Sequence, residues 1–125
     1  MGAFVISKRL SGEEYKFEFT SRKGKTIFTS NNYELRFECE EEIEFIKASI
    51  ENATFMKFKS SGGKGKYYFR LIIDEREMAI SRKYTTPLLL QKGIDEIIRY
   101  ASKSETLDFS SEAFIFPDFP ETNIV

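Results

Sequence analysis

Alternating apolar and polar positions mark short strands along the chain, and apolar residues at helical spacing follow them twice. Tyr15, Phe17 and Phe19 alternate with polar neighbours, which predicts a half-buried strand over 15–20. Further on, apolar residues recur with spacings of four, three and four, which places them on one face of an α-helix. This spacing occurs at Cys39, Ile43, Ile46 and Ile50 and again at Leu90, Ile94, Ile97 and Ala101.

The pattern of the first half of the chain recurs in the second half at a nearly constant offset. The strand Tyr15–Phe19 returns 52 positions later as Tyr67–Leu71, and the helical residues return 51 positions later. We therefore predict two repeats, about 3–53 and 54–109, within a single domain over 1–109. Each repeat would contain three strands and a helix, with room for a further strand after the helix.

The predicted fold is α+β, with internally duplicated β3-α(-β) units that form one antiparallel sheet with two helices on one face. A single repeat of about 50 residues buries too little apolar surface to be stable alone, and its strand edges stay open. Joining the repeats in one sheet covers some of these edges and gives the chain an approximate internal two-fold symmetry.

Short motifs recur at corresponding places in the two halves. They are Tyr15–Phe19, Gly24–Ser30 and Tyr33 in the first half, and Gly65–Leu71, Ser81, Tyr84 and Gly93–Ile97 in the second. These motifs resemble the YegP-like domain family of small bacterial and archaeal proteins, over about residues 4–103. The resemblance implies a β3-α-β unit, either duplicated in one chain or dimerised, in one sheet with exchanged terminal strands. The family's biochemical function is not established, so the resemblance implies no catalytic residue; Glu42 stands where the family usually has Gly.

The composition excludes several kinds of catalytic and metal site. The chain has no His and a single cysteine, so it can form no His-containing triad or dyad, no zinc site of His and Cys, and no internal disulfide. We therefore expect no enzyme, no cofactor and no metal. No apolar run has the roughly 20 residues of a membrane span, and the first residues lack the pattern of a signal peptide. The expectation is a cytoplasmic protein without membrane contact.

The acidic run from Glu38 to Glu44 raises the question of a metal site. A helix distributes consecutive residues around its circumference, so only two or three of these carboxylates can share a face. We therefore expect a solvated helix face, whose first acids interact favourably with the helix dipole. Cys39 lies in the apolar register of the same helix, which predicts a buried and unreactive thiol.

The segment 57–70 is basic and aromatic, and it carries the candidate interaction surface. Basic and aromatic side chains on strands bind single-stranded nucleic acid in several sheet domains, but alternation turns Tyr67, Phe69 and Leu71 towards the helices. The predicted function is a non-enzymatic protein-interaction module that uses the open sheet face or edge, and nucleic-acid binding through 57–70 is the alternative. The candidate surface residues are Lys57, Lys59, Lys66, Tyr68 and Arg70.

Charge is distributed unevenly along the chain, although the net charge is only −1. Residues up to Ser104 carry +4, and the remainder carries −5 with no Lys or Arg. The tail 110–125 is acidic but also aromatic, unlike a solvated disordered segment. We expect it to dock on its own body or on a neighbouring copy through Phe114, Phe116 and Phe119. The expected partners are an unidentified protein or a second copy of the chain, with nucleic acid less favoured.

Overall fold

The computed structural model describes residues 2–9, 12–62 and 65–110. Within these ranges the chain forms seven strands and two α-helices, and a short 3-10 turn follows each helix. Neither helix has the length and hydropathy needed to cross a membrane. In chain order the elements are β1 (Ala3–Lys8), β2 (Tyr15–Thr20), β3 (Thr26–Ser30), α1 (Arg36–Ser49), β4 (Thr54–Lys59), β5 (Tyr67–Ile73), β6 (Arg76–Ser81), α2 (Pro87–Tyr100) and β7 (Glu105–Asp108).

The described strands lie in one sheet, in the order β4-β5-β6-β3-β2-β1-β7. Neighbours are antiparallel except at one edge, where β7 runs parallel to β1. The prediction of an antiparallel sheet is therefore wrong for β7, and the sheet is mixed. The reason is the position of α2. Tyr100 at the end of α2 and Ser21 in the turn between β2 and β3 line one groove, so α2 ends beside this turn. Because β1 begins at that end of the sheet, the strand that follows α2 runs in the same direction as β1.

Both helices pack on one face of the sheet and share one hydrophobic core with it. Alternate residues of the inner strands point into this core, as their period of two requires. Phe4 lies at its aromatic centre, with its ring centroid 6.2, 4.9 and 6.2 Å from those of Phe17, Phe19 and Phe28. The helical residues at the predicted spacing are also buried. The α+β class with two helices on one face is confirmed.

Two contacts recur at matching places in the two halves of the chain. Ser30 Oγ accepts the backbone N–H of Phe17 at 2.9 Å, and Ser81 Oγ accepts that of Phe69 at 2.9 Å. A second matching pair consists of the isolated antiparallel bridges from Tyr15 to Tyr33 and from Tyr67 to Tyr84. These contacts follow the offset seen in the sequence, while the internal duplication itself stays a prediction.

The two helices begin at different kinds of cap. Thr86 Oγ1 accepts the N–H of Leu89 at 3.1 Å, and Pro87 stands in the first turn of α2, where a missing N–H costs nothing. At the start of α1 the Glu38 carboxylate reaches back and accepts the N–H of Leu35 at 2.9 Å. The Glu38 side chain therefore stabilises the start of α1 by accepting a backbone N–H that the helix leaves unpaired.

Cys39 is fully buried in α1, which confirms the prediction from its helical register. Burial raises the pKa of its thiol to about 11, and the nearby carboxylates of Glu38 and Asp108 add to this rise. Thiol reagents react with the thiolate, so burial and the raised pKa both slow the reaction.

We expect native protein at neutral pH to react with a thiol reagent far more slowly than a free cysteine, because the chain has to open before the reagent reaches Cys39. The absorbance of the released chromophore follows the reaction, and the denatured protein provides the fast control. Native labelling as fast as that of the denatured chain would contradict the burial of this side chain.

Candidate functional site

The sheet face opposite the helices is not covered by any described element, and we call it the open face. Its two halves differ in chemistry. On β1 to β3 it presents mainly polar side chains such as Lys16, Glu18 and Thr29, and Lys16 pairs with Glu18 at 3.4 Å. On β4 to β6 aromatic and aliphatic side chains predominate, as the register of these strands requires. The open face is therefore asymmetric.

The aromatic centre of the open face is the pair Phe58 and Tyr68, which lie opposite each other on β4 and β5. Their rings stack with centroids 5.2 Å apart and planes 18° apart. The Arg70 guanidinium lies 5.2 Å from the Phe58 centroid, and Lys83 Nζ lies 5.5 Å from the Tyr68 centroid. Each ring thus interacts with one cation as well as with the other ring.

Aliphatic side chains extend the aromatic pair across the sheet. Met56 lies opposite Arg70, which lies opposite Ile80. Met56 is 47% exposed and Ile80 39% exposed. Exposed apolar side chains grouped with polar ones are typical of an interaction site. We call this group the open-face patch, and it consists of Met56, Phe58, Tyr68, Arg70, Ile80 and Lys83.

The charge of the open-face patch comes mainly from Lys83. Arg70 Nη1 lies 3.0 Å from Glu77 Oε1, so a carboxylate already compensates this guanidinium. Lys83 has no carboxylate within ion-pair distance among the described residues. The patch therefore offers an uncompensated ammonium next to partly exposed aromatic rings.

The structure divides the surface predicted from the sequence between two faces of the sheet. Tyr68 and Arg70 lie on the open face, because they alternate along β5 with buried residues. Lys57 and Lys59 lie on the helix side of β4, and Lys57 Nζ donates to Gln91 Oε1 of α2 at 2.8 Å. The predicted residues therefore do not form one surface, since the side chains of β4 alternate between the faces.

Lys66 is exposed at the start of the second hairpin, where its N–H donates to Ser60 Oγ at 3.2 Å. It precedes Tyr68 by two residues, which is the spacing of one strand face. Lys66 thus belongs to the open side and stands next to the open-face patch.

Sequence reasoning missed Met56, Ile80 and Lys83 as members of the site. Along most of β4 apolar and basic residues alternate, but which of them face the open side depends on the pairing of β4 with β5. The connection between these strands includes the exposed Gly62 and does not fix the register from sequence alone. Ile80 follows a register shift opposite Leu71 and Ile72, where simple alternation fails.

A groove of about 480 Å³ lies beside the first three strands. We call it the β1–β3 groove, and it is lined by Lys8, Arg9, Lys16, Thr29 and Asn32. Its cations have weak partners, because Arg9 pairs with Glu14 at 3.4 Å while both side chains are nearly half exposed.

The chain leaves β7 close to this groove. The N–H of Phe109 donates to the carbonyl of Ile6 at 2.8 Å. Asp108 binds Ser110 and lies 3.1 Å from Arg36 Nη1 of α1. Burial opposes ionisation of Asp108, but the hydrogen bonds from Ser110 and the charge of Arg36 outweigh it and hold the pKa of Asp108 below its ordinary value. These contacts fix where the tail begins.

The helix side offers no comparable site among the described residues. A groove between the β2–β3 turn and α2 mixes cations such as Lys92 and Arg99 with Asp95 and Glu96. The described chain contains no group of three or more His, Cys, Asp or Glu placed to hold a metal ion. The acids of α1 bind separate partners, namely Glu40 with Arg36, Glu42 with Arg76 and Glu44 with Lys47.

Several large apolar side chains are exposed on or beside the helices. Phe37 is 49% exposed near the start of α1, and Leu88 is 67% exposed near the start of α2. Single exposed apolar residues are common on soluble domains and need no partner. The predicted docking residues Phe114, Phe116 and Phe119 lie outside the described ranges.

Comparison with known proteins gives two solved structures and no sequence family. No family model matches the chain, and no curated protein matches it. The solution NMR structure of a UPF0339 protein from Shewanella oneidensis superimposes with a TM-score of 0.72 at 21% identity, covering 87% of this chain and 92% of that one. YegP from E. coli, a protein of unknown function, superimposes with a TM-score of 0.69 at 23% identity, covering 88% and 94%. The resemblance seen in the motifs is thereby confirmed at the level of the fold, which is YegP-like.

Proposed function

We propose that this chain is a non-enzymatic interaction module of the cytoplasm, which binds an extended segment of a partner protein on the open-face patch. The segment would combine aromatic or aliphatic side chains with carboxylates. The observation that carries the proposal is the group of exposed Met56 and Ile80 with the partly exposed, stacked rings of Phe58 and Tyr68. The uncompensated charge of Lys83 lies beside these rings.

The chemistry of the open-face patch fits such a segment. Fully burying one large apolar side chain contributes roughly 1.5–3 kcal/mol, and aromatic residues dominate the energetics of many interfaces. Met56 adds a flexible thioether that adapts to different neighbours. A carboxylate of the partner beside Lys83 would form an ion pair that the apolar surroundings shield partly from water.

The non-enzymatic part of the proposal has support in the residues themselves. The chain has no His, and Cys39 is buried with a raised pKa, so the usual general base and the usual thiol nucleophile are both missing from the surface. The lone buried thiol also fits the location named in the proposal, because thiols stay reduced in the cytoplasm.

Single-stranded nucleic acid is the second candidate ligand. Aromatic side chains beside cations bind such strands in several proteins, and Phe58 and Tyr68 lie beside Arg70 and Lys83. Against it, Lys57 lies on the helix side, and Glu77 already pairs with Arg70. Few free cations therefore remain for phosphates on the open face, so a protein segment is the better fit.

Selection of short random peptides displayed on phage tests this proposal with the intact protein as bait. We expect enriched peptides to combine acidic with aromatic or aliphatic residues. The double variant Phe58→Ala/Tyr68→Ala should lose at least tenfold in affinity for them, which corresponds to about 1.4 kcal/mol. Fluorescence anisotropy with the labelled synthetic peptides measures the affinity.

Phe37→Ala is the matched control, because it removes an exposed ring from α1 and leaves the open face unchanged. Peptides that bind the double variant as tightly as the wild type would rule out the open-face patch. A labelled oligo(U) strand is the other probe. Tight oligo(U) binding that weakens steeply with salt, without any peptide consensus, would favour the nucleic-acid alternative.

A further inference from the structure

We propose that the first occupant of the open-face patch is the chain's own C-terminal segment, residues 112–119, which crosses the open face in cis. The inference rests on the proposed function, because the same chemistry that would bind a partner binds this segment. A partner segment would then have to displace it. The argument uses the point where the chain leaves β7, the length of the segment, its charge and its apolar residues.

The segment begins at the β7 edge of the sheet, across the sheet from the open-face patch. β7 pairs with β1, and Phe109 still donates its N–H to the Ile6 carbonyl. Asp108 lies opposite Ile6, so the chain leaves the edge within two residues of the level of Lys8, which lines the β1–β3 groove. Lys16 and Thr29 of this groove face the open side, so the groove leads from the end of β7 onto the open face.

The length of the segment matches the distance to the open-face patch. Five strand spacings separate β7 from β5, so the diagonal from Phe109 to Tyr68 measures roughly 26 Å. An extended chain gains about 3.3 Å per residue, so Phe119 lies about 30 Å along the chain from Ser110. Pro117 and Pro120 favour such an extended backbone. Phe119 can therefore reach Tyr68, while Phe116 reaches only the middle of the sheet.

The charges along this path are complementary. The segment after Ser110 contains Glu112, Asp118 and Glu121 and no base. Glu112 would lie over the β1–β3 groove, where Arg9 pairs with the exposed Glu14 and Lys16 with the partly buried Glu18, each at 3.4 Å. Such long ion pairs near the surface are weak and exchange easily. Asp118 would lie next to Lys83.

The apolar side chains of the segment fit the same path. Phe114 and Phe116 would pass over the centre of the open face towards Ile80, which is 39% exposed. Phe119 would cover the stacked pair Phe58 and Tyr68. A segment so rich in Phe gains by leaving water, and the open-face patch gains by being covered.

A spin label placed in the tail of the full-length protein tests this inference. Thr122→Cys provides the cysteine for the label, since the native Cys39 is buried and its thiol pKa is raised. We expect the label to broaden the amide resonances of Tyr68, Ile80 and Lys83 more strongly than those of α2. Adding Lys83→Glu or Phe119→Ser should reduce this broadening severalfold, whereas the charge-matched control Lys92→Glu on α2 should leave it unchanged.

A mixture of spin-labelled protein with isotope-enriched protein that carries no spin label distinguishes docking within one molecule from docking between molecules. Broadening only between different molecules would overturn docking in cis, and so would broadening that is equal on the open face and on α2. The peptide-binding test of the proposed function is independent of the spin-label test. If selected peptides still need Phe58 and Tyr68 while the label shows no docking, the proposed function stands and this inference fails. If the label shows docking but no peptide binds even to Phe119→Ser, the inference stands and the proposed function fails.

Discussion

Replacing Phe4 with Ala is expected to lower the free energy of unfolding by about 3–5 kcal/mol, as for other buried aromatic residues. Phe4 is fully buried, and its ring contacts three further Phe rings on β2 and β3. These neighbours are held by the hydrogen bonds of the sheet, so they cannot collapse into the space that the ring leaves. Equilibrium denaturation in urea, followed by far-UV circular dichroism, measures the loss.

Phe37→Ala provides the control for Phe4→Ala, because Phe37 is 49% exposed. This variant should change the free energy of unfolding by no more than about 0.5 kcal/mol. Phe4→Leu keeps most of the apolar volume and should cost clearly less than Phe4→Ala, so the comparison remains measurable if the Ala variant is largely unfolded. Equal losses for Phe4→Ala and Phe37→Ala would refute the aromatic core around Phe4.

Ile94→Ala should cost about 2–5 kcal/mol, the range found for packed core aliphatics. Ile94 is only 3% exposed and lies on the face of α2 that packs on the sheet. Truncation removes apolar contacts to the sheet and leaves a cavity under the helix, while the intrinsic helix propensity rises slightly with Ala. The same urea experiment measures the effect.

Ile98→Ala is the matched control on the same helix, since Ile98 is 53% exposed. With little packing to lose, this variant should be neutral or slightly more stable. A loss well below about 1 kcal/mol for Ile94→Ala, or a larger loss for Ile98→Ala, would show that the helix face has been assigned incorrectly.

The sequence predicts the secondary structure well because the apolar residues follow the helical period of about 3.6 residues and the strand period of about two residues clearly, and both periods are local properties of the chain. The spacing from Cys39 to Ile50 needs only the geometry of one helix, and the alternation from Tyr15 to Phe19 needs only that of one strand. The direction of β7 could not be predicted in this way. It depends on where α2 ends relative to β1, which is a property of the packed structure.

The candidate site was predicted less well than the fold, for a physical reason. Tyr68 and Arg70 alternate with buried residues of one strand, so their exposure could be inferred from β5 alone. Lys57 and Lys59 are near them in sequence, but β4 turns these two side chains to the other face. A site made from three strands depends on register, and register is set by contacts between strands that are distant in sequence.

The pairing of β7 with β1 also affects how the chain folds during synthesis. Ala3 lies opposite Glu105, so the ribosome has to release nearly the whole described chain before this edge is covered. Contacts between such distant residues form slowly, and an open strand edge can pair with another chain in the meantime. Nascent chains that stall before β7 leaves the ribosome would therefore expose the edge of β1 and be prone to aggregate, whereas chains released with β7 can close the sheet.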